Sequence, residues 1–279
     1  MPGEVVILCS ERRLPIVFYR TASCPFVLSF FLDYFEMRIE LDPELEISLH
    51  DNFCCFCWLT ESLAAYHHMP SCLDDYERSR ILAFRNNIDK WRFTAARLIV
   101  RTVLAIDQDC DKGEVLLRVQ QGRPFSEANK ASLGFFSIAH SAMGILVGFS
   151  RDGQIGVDIE QEQLFPNRLG VARRVMTDDE YGAFRKLDGD EATHAFYQLW
   201  VRKEAVLKYL GTGFSLDPAS IRSGIGSDRI MQIERQGGVI GLDDGTRIND
   251  DNIYHWATAH SKPSRRVSIP KFHVKLTVT

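Results

Sequence analysis

The chain has 279 residues, enough to bury one large core or two smaller ones. Apolar residues at 45% and charged residues at 25% are the proportions of an ordinary soluble globular protein. A formal net charge of -4 argues against a general nucleic-acid binder.

Residues 1–50 carry no recognisable motif and read as an extension outside the main body. Their apolar runs are interrupted by Arg20 and Asp33 and never reach the ~20 residues of a membrane span. Glu4, Glu11 and the placement of Arg12 and Arg13 make a poor secretory signal. Seven cysteines at irregular spacing suggest a reduced, cytoplasmic protein. Cys54 and Cys57 form a C-x-x-C, but no second Cys or His pair matches them, so they read as small buried residues rather than zinc ligands.

From Phe53 the run FCCFCWL predicts a buried strand. A short helix over Tyr76–Phe84 is broken at Asn86-Asn87, and WRFTAARLIVRTVLA predicts a helix over Trp91–Ala105. Seven bases against one acid lie between Arg78 and Arg101, a local net of +6 in an acidic chain. Such a stretch is either a solvated basic face or a cradle for an anion with several phosphates. Next come a Gly122-Arg123-Pro124 turn and the run SIAHSAMGILVGFS, a hairpin with His140 beside its turn.

In IGVDIE, residues 155–160, strand alternation sends Asp158 and Glu160 to one face and Val157 and Ile159 to the other. Two carboxylates side by side repel unless they are solvated or share a cation. Thr177 and Glu180 have the spacing of a capping box. Apolar periodicity then predicts a helix over Phe196–Leu210, stopped by Gly211. On it Glu204 and Lys208 are four apart and share a face with Trp200. An exposed pair of this kind is worth well under ~1 kcal/mol. Strand character returns after Asn252. Ala139-His140-Ser141 recurs as Ala259-His260-Ser261, a faint sign of an internal repeat.

The combination of GVDIE with LWVRKEAVLKYLGTG about forty residues later resembles the 4'-phosphopantetheinyl transferases of the larger monomeric, two-half type. Gly122-Arg123-Pro124 is similar to that family's G-K-P turn, and SIAHS to its N-I-S-H-S, with Ala139 in place of a serine. The resemblance implies an α+β fold of two similar subdomains related by a pseudo-twofold axis. Each would be a small, mostly antiparallel sheet packed on a long helix. The halves would be 51–152, basic and phosphate-binding, and 153–279, metal-binding and catalytic.

The same resemblance implies a magnesium-dependent enzyme, a holo-[carrier protein] synthase. It would move the phosphopantetheine arm of coenzyme A to a serine of an apo acyl, peptidyl or aryl carrier protein. It implies magnesium on Asp158, Glu160 and Glu204. It also implies coenzyme A on Arg92, Arg101, Arg123, His140, Lys203 and Lys208, and catalysis by Glu204, Lys208 and Asp158. Either Glu204 or a metal-bound hydroxide would accept the serine proton. No membrane or nucleic-acid partner is expected. A non-catalytic carrier-binding relative and a metal-dependent phosphohydrolase stay open as alternatives.

Overall fold

The computed structural model describes residues 4–6, 17–21, 24–32, 35–40, 53–59, 69–120, 123–126, 133–151, 153–164, 167–225, 232–235, 238–261 and 273–278. The first half is built on strand β5 (Phe53–Trp58), helices α1 (Asp75–Ala83) and α2 (Asn87–Gln108), and the hairpin β8 (Phe135–Ser141) and β9 (Gly144–Ser150). The second is built on β10 (Ile155–Gln161), helices α3 (Arg168–Val175), α4 (Asp178–Phe184) and α5 (Gly189–Leu210), and the hairpin β12 (Gly238–Asn249) and β13 (Asn252–His260). In the first half β5 pairs with β9 and β9 with β8; in the second β10 pairs with β13 and β13 with β12, all antiparallel. Strand order and helix order therefore repeat, giving the expected pair of α+β subdomains. Between them β6 (Leu117–Gln120) and β7 (Arg123–Ser126) form a separate two-stranded ribbon.

The tripeptide repeat does not mark this symmetry. His140 lies on β8, whose counterpart in the second half is β12, whereas His260 lies on β13. The likeness is carried by the order of elements rather than by those three residues.

Residues outside the two halves also join the first sheet. Strands β1 (Glu4–Val6), β2 (Val17–Thr21), β3 (Cys24–Leu32) and β4 (Phe35–Glu40) extend it. Strand β14 (His273–Val278) is inserted between β4 and β5. The chain's last strand thus belongs to the first sheet, which departs from the expected boundary of 153–279. A further strand, β11 (Gln232–Arg235), pairs with β12 at the edge of the second sheet.

Alternation along each strand sorts side chains between two cores. Phe53, Cys55 and Cys57 face α2, packing with Leu98, Ile99 and Leu104. Cys54 and Phe56 face the other sheet, where they meet Ile155, Val157, Ile159, Tyr254 and Trp256. The two sheets therefore pack face to face, with α2 outside one and α5 outside the other. Cys54 and Cys57 point to opposite sides and are both fully buried, so they serve as small apolar residues.

Helix boundaries follow local chemistry. The Asn86 side chain accepts from Ile88 N–H, so the Asn pair that ends one helical stretch also caps α2. Thr177 and Glu180 close the expected capping box on α4, and Gly211 ends α5 at φ 74°. Asp74 and Glu77 form a second such box on α1.

Strand β10 approaches α5 with nothing between the two backbones at Gly156. A Cβ there would collide with the carbonyl oxygen of Ala205 and the amide of Tyr209. We expect Gly156→Ala to destabilise the fold by about 3 kcal/mol, because backbone atoms cannot swing aside as a side chain can. Gly182→Ala is the control: nothing lies within 4 Å of a Cβ at that position. It should be neutral, or stabilising by up to about 1 kcal/mol. Urea unfolding of the two variants measures the difference.

Candidate functional site

The close approach at Gly156 sets the acidic face of β10 against one stripe of α5. Side chains four apart on a helix lie above one another, so Trp200, Glu204 and Lys208 form that stripe. Lys208 Nζ donates to Asp158 Oδ1 at 2.7 Å. It therefore pairs with the strand acid rather than with Glu204, its neighbour one turn back. Ser141 Oγ donates to Glu160 Oε2 at 2.7 Å and in turn accepts from Gln161 N–H at 3.0 Å. The Trp200 side chain also favours the charged form of Glu160. Ser137 Oγ accepts from Val157 N–H at 3.1 Å, so two serines of β8 hold the edge of β10.

Three carboxylates then influence one another with little water between them. Burial raises the pKa of Asp158 despite Lys208, and raises that of Glu160 with Asp158 adding to it. Glu204 is pushed from 4.5 to about 7 by burial, then by Asp158, with Glu160 adding and Lys208 opposing. Asp158 Oδ2 and Glu204 Oε1 are buried without a hydrogen-bond partner. Buried carboxylate oxygens that are neither paired nor solvated are costly, and a hard divalent cation with oxygen ligands relieves both the repulsion and the missing bonds. The donor set thus fits magnesium. Among the described residues, the trio whose ligand atoms all lie within 4.8 Å of one another is Glu162, His194 and His255. Asp158, Glu160 and Glu204 do not form so tight a set.

Positive charge gathers beside the acids. The solvent-facing His140 has its pKa lowered by the protein atoms that crowd it and then by the Arg92 and Lys208 cations. Arg92 crosses from α2 to donate through Nε to Ala142 O at 2.6 Å, and its Nη1 meets Asp89 at 3.0 Å. Arg92 and Lys208 form the cationic side of the site, with the His140 imidazole beside them. Arg123 begins β7, and its side chain lies outside the described residues.

Two expected phosphate ligands are elsewhere. Arg101 is nine residues from Arg92, about two and a half helical turns, so the two leave α2 on opposite sides. Arg101 is only 1% exposed and donates to Glu77, Asp74 and the carbonyls of Lys112 and Val115. These contacts tie α1 and the loop after α2 to α2 itself. Lys203 is adjacent to Glu204, hence rotated by about 100° around α5. It is fully buried against Glu180 Oε2 at 2.7 Å and the carbonyls of Pro218 and Ile221. The expected roles of Arg101 and Lys203 at the phosphates are corrected accordingly: helical rotation turns both away from the acids and into ion pairs of their own.

Ser141 and the indole of Trp200 were not among the expected site residues. Ser141 stands beside His140 in the SIAHS run, and the four-residue step from Trp200 to Glu204 already placed the indole on the right face. Neither signal names Glu160 as the partner, because that contact joins distant segments.

The profile of the 4'-phosphopantetheinyl transferase superfamily matches residues 154–268. A Synechocystis protein carrying that family's name is 35% identical over 144 residues, covering 51% of this chain and 58% of its own length. The 4'-phosphopantetheinyl transferase Sfp of Bacillus subtilis is 30% identical over 167 residues, covering 59% of this chain and 71% of Sfp. The 4'-phosphopantetheinyl transferase HetI of Nostoc is 30% identical over 149 residues, covering 53% of this chain and 63% of HetI. The chain thus spans under two thirds of the Synechocystis and Nostoc relatives.

Two outcomes are expected from these charges. Lys203→Met should destabilise the protein by about 3 kcal/mol in thermal or urea unfolding, since it leaves a buried glutamate without its cation. Glu204→Gln should act in the opposite direction at pH 8 in the absence of divalent ions. Between pH 4.5 and about 7 the folded chain holds a proton on Glu204 that the unfolded chain has released, so this group's contribution falls as pH rises through that window. At pH 8 the charged carboxylate opposes folding, and the amide removes the penalty, a gain on the order of 1 kcal/mol after solvent screening. The gain should vanish at pH 4, and comparing melting temperatures at the two pH values checks it.

Proposed function

The chain belongs to the 4'-phosphopantetheinyl transferase superfamily, and on that premise we propose that it transfers the phosphopantetheine arm of coenzyme A to a serine of an apo carrier protein. The observation that carries the proposal is the convergence of Asp158, Glu160 and Glu204, with unpaired buried oxygens, beside Arg92, His140 and Lys208.

Arg92, His140 and Lys208 bind the phosphates of coenzyme A, and Arg123 is assigned to the same task from its turn motif. Asp158, Glu160 and Glu204 would hold magnesium, whose positive charge, when bound, would neutralise that of the pyrophosphate. Ser141 fixes the Glu160 carboxylate, so its direction is set before substrate arrives. The carrier serine Oγ forms a bond to the β-phosphorus, and the bond from that phosphorus to the bridging oxygen breaks. Adenosine 3',5'-bisphosphate leaves. The serine proton needs an acceptor, and we assign that role to a Glu204 oxygen that the metal would leave free. Lys208, held at 2.7 Å from Asp158, stays close to the phosphates and steadies the charge that passes to the leaving group.

Asp158→Ala should abolish transfer while circular dichroism shows a folded protein. Mass spectrometry of an apo carrier protein incubated with coenzyme A and magnesium reads the result. Transfer at the unaltered rate would overturn the metal assignment.

A further inference from the structure

His194 stands nearer the start of α5, ten residues before Glu204 and so about 80° around the helix from it, and there the sheet presents a different set of donors. Glu162 follows β10, and its Oε2 accepts from or pairs with two imidazoles: His255 Nε2 at 2.6 Å and His194 Nδ1 at 3.3 Å. One ligand atom from each of the three residues lies within 4.8 Å of the others. His255 is fully buried on β13, while His194 is open to solvent and leaves a route of entry. The two rings meet edge to face at 4.5 Å, and the Tyr197 ring stacks on His255 at 5.8 Å, so both imidazoles are held in orientation.

We propose that Glu162, His194 and His255 form a binding site for a divalent ion of borderline softness, of the zinc class, separate from the magnesium site. The donor chemistry separates the two. Two nitrogens and one oxygen suit zinc, whereas the all-oxygen set of Asp158, Glu160 and Glu204 suits magnesium. Three protein ligands leave a fourth, solvent-facing position. A bound ion would tie the end of β10, the first turns of α5 and the middle of β13 together, the elements that also position the acids.

The test uses the full-length protein at pH 7.5 in excess magnesium, titrated with zinc by calorimetry and with cobalt by visible absorption. We expect one equivalent to bind, with the intense d–d bands of four-coordinate cobalt and a raised melting temperature. His194→Ala removes an exposed ligand without opening the core, and Glu162→Gln removes the shared carboxylate. Each should weaken zinc binding by more than the roughly tenfold to hundredfold that loss of an outer partner costs. Asp158→Ala should leave the cobalt spectrum in place. Absence of binding to the parent protein would overturn the proposal. So would binding that neither His194→Ala nor Glu162→Gln weakens, or a spectrum that disappears in a folded Asp158→Ala protein.

Discussion

Strand β10 touches the backbone of α5 at Gly156, with no side chain between them. That distance sets much of the rest. It brings the next inward positions of the strand, Asp158 and Glu160, under the stripe of α5 that bears Trp200, Glu204 and Lys208. A larger residue at 156 would lift the strand off the helix and lengthen the Asp158–Lys208 contact. The opposite face of the same strand needs no such gap: Ile155, Val157 and Ile159 fill the space between the two sheets. One strand therefore joins the halves on one side and supplies acids on the other, as strict alternation requires.

The two halves share a second device. Each has a short helix with a capping box whose glutamate is buried, Glu77 in the first and Glu180 in the second. Each of those glutamates meets a buried base from the long helix, Arg101 or Lys203. Burial raises the pKa of Glu180, but Lys203 and the N–H groups of Thr177 and Ser223 more than offset this and keep it low. Arg101 and Lys203 thus lock short helix to long helix in both halves, and the basic character of the first half is in part internal. The same holds for Arg78, which donates to the carbonyls of Pro70, Ser71 and Leu73.

The acid cluster works in the other direction. Glu204 carries its charge reluctantly, and two buried carboxylate oxygens lack partners. Such groups oppose folding, and their gathering with a third carboxylate beside Arg92 and Lys208 is the physical sign of a site shaped for a ligand. Ser141 and Lys208 hold the acids in place against their own repulsion. That restraint distinguishes a prepared binding site from a solvated acidic edge.

Local patterns in the chain were enough for several features. Apolar periodicity marked both long helices, alternation put Asp158 and Glu160 on one face, and the Thr177–Glu180 spacing marked a cap. Each depends only on residues a few positions apart, where backbone geometry fixes the outcome. Spacing alone could not say which charges meet. Lys208 turned to Asp158 rather than Glu204, while Arg101 and Lys203 rotated away from the site into buried pairs. The last strand crossed to the first sheet, and the repeated Ala-His-Ser fell on strands that are not equivalent. Those outcomes were decided by tertiary structure, because a side chain's partner depends on which distant backbone packs against its face.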